Sequence, residues 1–290
     1  MKQSQLINIW KNLSKRKLYF VLALFFIAFS AVFIKTDIAF ADITAGLRAY
    51  YDLDESSGTS AADSSGNASN GLISGGIWTL GKISNALSFN GTNALVSVTD
   101  PVNSSLDLGT SDFSISAWVK TSVSGINQTI IGKRSGGAGI GYDLRINTTG
   151  NLALYLKDVD DASQSVYTST ASGLTDGNWH NVAVTATRNG NVTFYIDGAA
   201  SGSSGITARS ASLDNSYNFY IGVSQSTGYF NGIIDDVRVY NRALTASDIT
   251  GLYNYTEGSS SSSSSAINPP APRFPGAGVS FNSPTEPTVN

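Results

Sequence analysis

The chain contains no cysteine. Thiol nucleophiles, thiolate metal sites and redox pairs are thereby excluded. No disulfide can staple the fold either, so stability must come from a core, which a body of about 215 residues can bury. Histidine occurs once, as His180, which rules out a zinc site built from several histidines. Glutamate occurs three times, at Glu55, Glu257 and Glu286. Retaining glycoside hydrolysis needs two carboxyl groups about 5–5.5 Å apart. None of the glutamates is paired within a strand, and Asp158, Asp160 and Asp161 fall in a turn after one. Basic residues are scarce too: six of the 18 Lys and Arg and one of the 21 acids lie within residues 1–41, leaving 12 against 20 and a net charge of −8 beyond them. Phosphate neutralisation wants a basic stripe, so nucleic acid is excluded as a partner.

One long apolar run is present. Lys15-Arg16-Lys17 precedes the uninterrupted segment Leu18–Ile34, and a short spacer ends in Ala39-Phe40-Ala41. Basic flank, hydrophobic segment and small-x-small ending are the order of a secretory signal. The reading is a signal peptide over 1–41, cleaved after Ala41, with an uncleaved anchor as the alternative because a hydrophobic run of 17 residues, Ser30 included, sits at the lower limit of a membrane span. Either way the body is expected to be secreted or extracellular, attached to a cell surface only by other means or through this segment. From Gly258 the composition shifts to a run of serines, Ser259–Ser265, and six of the seven prolines. Residues 258–290 are therefore read as a disordered linker or tail.

Between these ends, residues 42–257 read as β structure. Phe113, Ile115, Ala117 and Val119 alternate with Ser114, Ser116, Trp118 and Lys120; Leu152, Leu154 and Leu156 alternate with Ala153, Tyr155 and Lys157; Val192, Phe194 and Ile196 alternate with Thr193, Tyr195 and Asp197. Short one-faced strands separated by Gly, Asn, Ser and Asp turns predict an all-β fold of two antiparallel sheets packed face to face. One helix is expected, where Thr245-Ala-Ser-Asp248 forms a capping box ahead of Ile249, Leu252 and Tyr253.

Several segments carry a resemblance. These are Gly46-Leu-Arg-Ala-Tyr-Tyr-Asp-Leu-Asp-Glu55, Ala62-Asp-Ser-Ser-Gly-Asn67, Ala86-Leu-Ser-Phe-Asn-Gly91, Phe113-Ser-Ile-Ser-Ala-Trp-Val-Lys120, Asp176-Gly-Asn-Trp-His-Asn-Val-Ala183 and the closing Phe230-Asn-Gly-Ile-Ile-Asp-Asp-Val-Arg-Val-Tyr-Asn-Arg-Ala-Leu-Thr245. Together they resemble the bacterial LamG-like (Laminin_G_3 type) domains of the concanavalin A-like lectin/glucanase superfamily, over roughly residues 46–254. Asn90 and Asn181 depart from it, standing where an acid and a second histidine are frequent. The resemblance implies a jelly-roll sandwich. Glucanases of that fold usually carry two glutamates with an aspartate between them on one strand, and no such set occurs here; the domain is expected not to be an enzyme.

Candidate sites follow. The resemblance implies a structural calcium tying an N-terminal loop to the last strand. The glycine turn Asp63-Ser-Ser-Gly-Asn67 offers oxygens suited to Ca²⁺, and Asp235 shares the parity of Val237 and Val239, so it should start inside and need a partner. Asp63, Asn67 and Asp235 are the expected ligands; an Asx turn at Asp63 and backbone donors to Asp235 are the alternative. Trp118, Arg145, Tyr155 and Tyr195 turn away from the core and form a sugar platform if their strands are neighbours. Packing is the competing role for Trp118, and the loops 136–142 and 224–229 are an alternative site. His180, in parity with Val182 and Val184, is expected to be a core histidine rather than a general base. Beyond residue 41 the seven Asn-x-Ser/Thr triplets, at Asn67, Asn90, Asn103, Asn127, Asn147, Asn191 and Asn254, are what chance supplies in this composition. The expected function is carbohydrate binding, with polysaccharide or surface glycan as partner; the alternative is a protein–protein adhesion or structural module.

Overall fold

The computed structural model describes residues 42–134, 139–224 and 227–255. The expected leader (1–41) and the whole of the expected tail (258–290) lie outside the described residues, as do 136–138 and 225–226 of the two candidate loops. No helix among the described residues is long and apolar enough to cross a membrane.

Two eight-stranded antiparallel sheets make the body. Numbering the strands β1–β16 along the chain, sheet A runs β14 (Ala199–Gly205), β13 (Asn191–Ile196), β12 (Trp179–Ala186), β7 (Phe113–Lys120), β16 (Asn231–Tyr240), β5 (Asn85–Asn90) and β4 (Ile77–Leu80), with β1 (Leu47–Tyr51) also paired to β16. Sheet B runs β11 (Ser165–Thr168), β10 (Leu152–Lys157), β9 (Gly141–Ile146), β8 (Gln128–Arg134), β15 (Phe219–Ile221), β6 (Leu95–Val98), β3 (Gly71–Ser74) and β2 (Ser60–Ala61). The alternating residues meet as the period-2 pattern requires. Phe113, Ile115, Val119, Val184, Phe194, Val237 and Val239 of sheet A face Val96, Ile131, Leu144, Leu152, Leu154, Phe219 and Ile221 of sheet B, all buried in one core. Aromatic pairs bridge the layers: Tyr51 stacks on Phe219 at 6.1 Å and Phe113 meets Tyr142 at 6.3 Å. Gly222 sits at φ +84°, and a Cβ there would collide with the Phe89 ring, so the turn after β15 requires glycine.

The expected helix forms as α1 (Ala246–Tyr253), with the full capping box between Thr245 and Asp248. Arg242 adds a 2.8 Å bond to the Asp248 carboxylate. Ile249 and Leu252 pack with Tyr240, Leu244 and Ala183 in a second cluster on the outer side of sheet A. That covering explains why Ser114, Ser116 and Trp118 are buried although they point away from the core.

Candidate functional site

A bulge decides which way the last strand's acids point. The register of β16 against β7 slips between Asp235 and Arg238, and Asp236 takes the left-handed conformation at φ 55°. Side chains therefore change face there. Asp235 lies opposite Trp118, on the outer side of sheet A, and does not share the core face of Val237 and Val239 as the uninterrupted parity predicts. Its Oδ2 accepts the Lys82 and Ile83 amides at 2.8 and 3.0 Å, while Oδ1 is buried without a partner. Burial pushes the carboxyl up to about 8, against the pull of the Ile83 amide and with the help of neighbouring Asp236. Asp236 pairs with Arg238 at 3.0 Å, and the Arg238 guanidinium lies between the rings of Tyr50 and Tyr255, 4.1 and 4.4 Å from their centres.

The expected calcium shell does not assemble. Asp63 Oδ1 accepts the amides of Tyr50 and Ser65, each at 3.0 Å, and Oδ2 accepts that of Ser69 at 2.9 Å. The Asn67 amide nitrogen donates to the Arg48 carbonyl and Ser65 Oγ. Asp235 shares no partner with either residue. Backbone donors thus satisfy Asp63 as an Asx turn does, and among the described residues no group of three or more His, Asp or Glu is placed to hold a metal ion. The donor set at Asp63, Asn67 and Asp235 does not fit a shared Ca²⁺. Asn90, likewise, spends its Oδ1 on the amides of Thr92, Asn93 and Ala94.

The four residues of the expected platform split between two faces. Trp118 is 2 % exposed, stacked against Tyr253 of α1 at 5.6 Å and lying 4.8 Å beneath the Lys82 ammonium. Tyr195 is packed against the same cluster under α1. Both are on sheet A; Trp118 has no face left for a sugar because the helix that closes the domain covers it, and Tyr195 is half-buried against that cluster, away from the other two. Arg145 and Tyr155, by contrast, are on adjacent strands of sheet B, β9 and β10, pointing outward. The guanidinium of Arg145 lies flat over the Tyr155 ring, 3.9 Å from its centre. It is fixed there by Asp143, whose carboxylate accepts Arg145 Nε at 2.8 Å and Nη2 at 2.5 Å.

Asp143 and Arg134 are the functional candidates that the sequence reading did not single out. Asp143 is fully buried and also accepts Arg134 Nη1 at 3.1 Å and Ser224 Oγ at 3.3 Å, and Arg134 Nη2 bonds Gln164 Oε1 at 2.5 Å. A signal existed: Asp143 and Arg145 alternate with inward Tyr142 and Leu144, which sets them side by side on the outer face. Two guanidiniums share one carboxylate, so the group carries a net positive charge. Its members are held in one arrangement before any ligand arrives.

A cleft of about 260 Å³ lies between residues 67–70 and 98–103. Asn67, Asn70, Thr99 and Asp100 supply polar groups, and Val98, Pro101 and Val102 the apolar ones. His180 is not an apolar core histidine: it starts opposite Val119, but its ring bonds Asp197 through Nδ1 at 2.8 Å and Asp176 through Nε2 at 3.1 Å. Burial lowers its affinity for a proton; the bonds to Asp197 and Asp176 outweigh this and raise its pKa above the usual value. With both nitrogens engaged, the ring is clamped between the two carboxylates.

Comparisons agree with this architecture. The family model described as the concanavalin A-like lectin/glucanases superfamily, Laminin_G_3, matches residues 90–250. No curated protein matches in sequence. Among solved structures, the binding domain of Paraclostridial Mosquitocidal Protein 1 is similar at TM-score 0.62 and 20 % identity, over 73 % of this chain and 53 % of that one. The binding domain of botulinum neurotoxin DC in complex with rat synaptotagmin II is similar at TM-score 0.57 and 20 % identity, over 73 % and 52 %. Domain 4 of AbnA, a GH43 extracellular arabinanase from Geobacillus stearothermophilus, in complex with arabinotriose, is similar at TM-score 0.54 and 25 % identity, over 71 % and 98 %. The chain spans about half the length of the toxin domains it matches. The two toxin structures are binding domains, and the arabinanase domain is in complex with a sugar, arabinotriose.

Proposed function

Because the chain belongs to the Laminin_G_3 family of the concanavalin A-like lectin/glucanase superfamily, we propose that it is a non-catalytic extracellular module that binds polysaccharide or surface glycan through the outer face of sheet B. One observation carries this reading. Arg145 is locked flat on Tyr155 by a buried carboxylate, on the face that α1 leaves uncovered. A guanidinium stacked on a phenol ring gives a sugar a rigid planar edge with hydrogen-bond donors already fixed in place, at little cost in side-chain entropy. The cleft between residues 67–70 and 98–103, lined by neither Arg145 nor Tyr155, is a separate place large enough for one sugar residue. The basic flank, apolar segment and Ala-x-Ala ending of residues 1–41 support secretion.

Binding of the purified chain to a polysaccharide and oligosaccharide panel tests this. Tyr155→Ala and Arg145→Ala should each weaken binding to any positive glycan roughly tenfold, the equivalent of about 1.4 kcal/mol; Tyr155→Ala should leave the melting temperature little changed, whereas Arg145→Ala should also lower it because buried Asp143 loses a partner, so its binding is read well below its own transition. Full binding retained in both variants would remove this face from the reading. A second reading, protein–protein adhesion, has one observation in its favour: Ile77 and Leu80 on the edge strand β4 are 71 % and 80 % exposed. A panel silent for every glycan, with a surface protein captured through Ile77 and Leu80, would favour it.

A further inference from the structure

Lys133, at the end of β8, has no exposed side-chain surface. Its ammonium is surrounded by oxygen alone: Asp100 Oδ1 at 2.7 Å, Asp107 Oδ1 at 2.9 Å, and the carbonyls of Asn215 and Tyr217 at 2.7 and 3.0 Å. These acceptor oxygens come from two loops remote in sequence, one leading from β6 to β7 and the other leading into β15. The position of Lys133 is itself fixed from both sides. Asn215 Nδ2 donates to its carbonyl at 3.3 Å, and Gly141, at φ +128°, passes so close that a Cβ would collide with that same carbonyl.

Two carboxylates and two backbone carbonyls, converging from irregular loops, form a donor set suited to Ca²⁺, which takes oxygen ligands at about 2.3–2.6 Å in flexible geometry. The ammonium is a poorer match. It has three protons for four oxygens and one positive charge for two negative ones. Only a few tenths of an ångström separate the present N–O distances from Ca–O distances. Asp100 keeps 30 % of its side-chain surface exposed, so water can reach the shell to complete a larger coordination number.

We propose that these four oxygens are a divalent-cation site filled from within the chain, Lys133 standing where Ca²⁺ would sit. The lysine pins both loops, and with them the Asp100 wall of the cleft, without any dependence on metal. Removing the ammonium turns the same oxygens into a Ca²⁺ site. This site is separate from the residues expected to bind calcium, Asp63, Asn67 and Asp235, and does not rest on the glycan-binding reading.

The test uses the full chain and its Lys133→Ala variant, both stripped with EDTA and melted with and without CaCl₂. The wild type should melt at the same temperature in both. Lys133→Ala should melt lower in EDTA and recover by about 5–10 °C at roughly a hundredfold excess of Ca²⁺ over its Kd. Calorimetry should give one Ca²⁺ per chain, and MgCl₂ should do far less because Mg²⁺ demands a regular octahedron and gives up water reluctantly. Adding Asp107→Asn to Lys133→Ala should abolish the recovery. If Lys133→Ala is unfolded in EDTA, CaCl₂ should restore its β circular dichroism. A variant that ignores Ca²⁺, folded or unfolded, overturns the proposal, as does a recovery that survives Asp107→Asn.

Discussion

Replacing Trp118 by alanine removes the largest side chain beneath α1. Trp118 is 2 % exposed, and truncating a buried tryptophan to alanine costs about 3–5 kcal/mol in transfer and cavity terms together. That range includes the ring contact with Tyr253, for which stacked pairs contribute roughly 1 kcal/mol. One term has the opposite sign. The Trp118 Nε1 hydrogen has no partner among the described residues, and removing a buried unsatisfied donor returns about 1 kcal/mol. The net loss is therefore about 3 kcal/mol. For a body of this size that lowers the melting temperature by roughly 6–12 °C. Tyr253→Ala should cost only about 1 kcal/mol beyond its own partial burial, and the double variant should show a coupling of about 0.5–1.5 kcal/mol, because each ring loses the same contact. Urea unfolding of the four proteins measures all of this, and glycan binding below the transition should match wild type. A Trp118→Ala protein that unfolds at the wild-type urea concentration yet no longer binds glycan would refute the account, since that is the behaviour of a surface ligand contact.

Three further perturbations separate the polar groups. Asp235 has a folded-state pKa of about 8 against 3.8 unfolded, so its contribution is fully present below about pH 4 and is lost as pH rises toward 8; Asp235→Asn should flatten the urea midpoint over that window and be the more stable protein at its upper end, and a wild-type midpoint that rises with pH there would contradict this. His180 is also raised, which makes its contribution present below about pH 6.5 and lost as pH rises through the folded value. As the chain's one histidine it gives a single imidazole titration by NMR, expected above 6.5 and shifted by Asp197→Asn; a lower midpoint would sink the Asp176–His180–Asp197 clamp. Asp143→Ala removes the carboxylate shared by two largely buried guanidiniums and should cost about 3–5 kcal/mol, read by urea unfolding; a loss under about 1 kcal/mol would mean that the carboxylate does not hold Arg134 and Arg145.

The sandwich was legible because its signals are local. Phe113 to Val119, Leu152 to Leu156 and Val192 to Ile196 each state their buried face by alternation, and the Thr245–Asp248 box states where α1 begins. What lay beyond the sequence was non-local. A bulge at Asp236 inserts one residue, and every parity argument carried across it from Val237 back to Asp235 reverses. The covering of Trp118 and Tyr195 depends on where α1 docks, and a strand's alternation says which way a side chain points but not what lies over it. Arg145 and Tyr155 were correctly read as outward, and their contact needed the pairing of β9 with β10. Lys133 gave no sign, since its partners lie 33, 26, 82 and 84 residues away in sequence.

The two ends of the described body meet. Arg242 Nη2 holds the Asp42 carbonyl at 2.7 Å, and Leu47 at the head of β1 is paired with Tyr240 at the foot of β16. Tension applied to the polypeptide at both ends would therefore open this ladder like a zipper, one rung at a time, instead of shearing all its rungs together. Such a body yields at low force near its attachment points while the Arg145–Tyr155 surface, on the other sheet, keeps its shape.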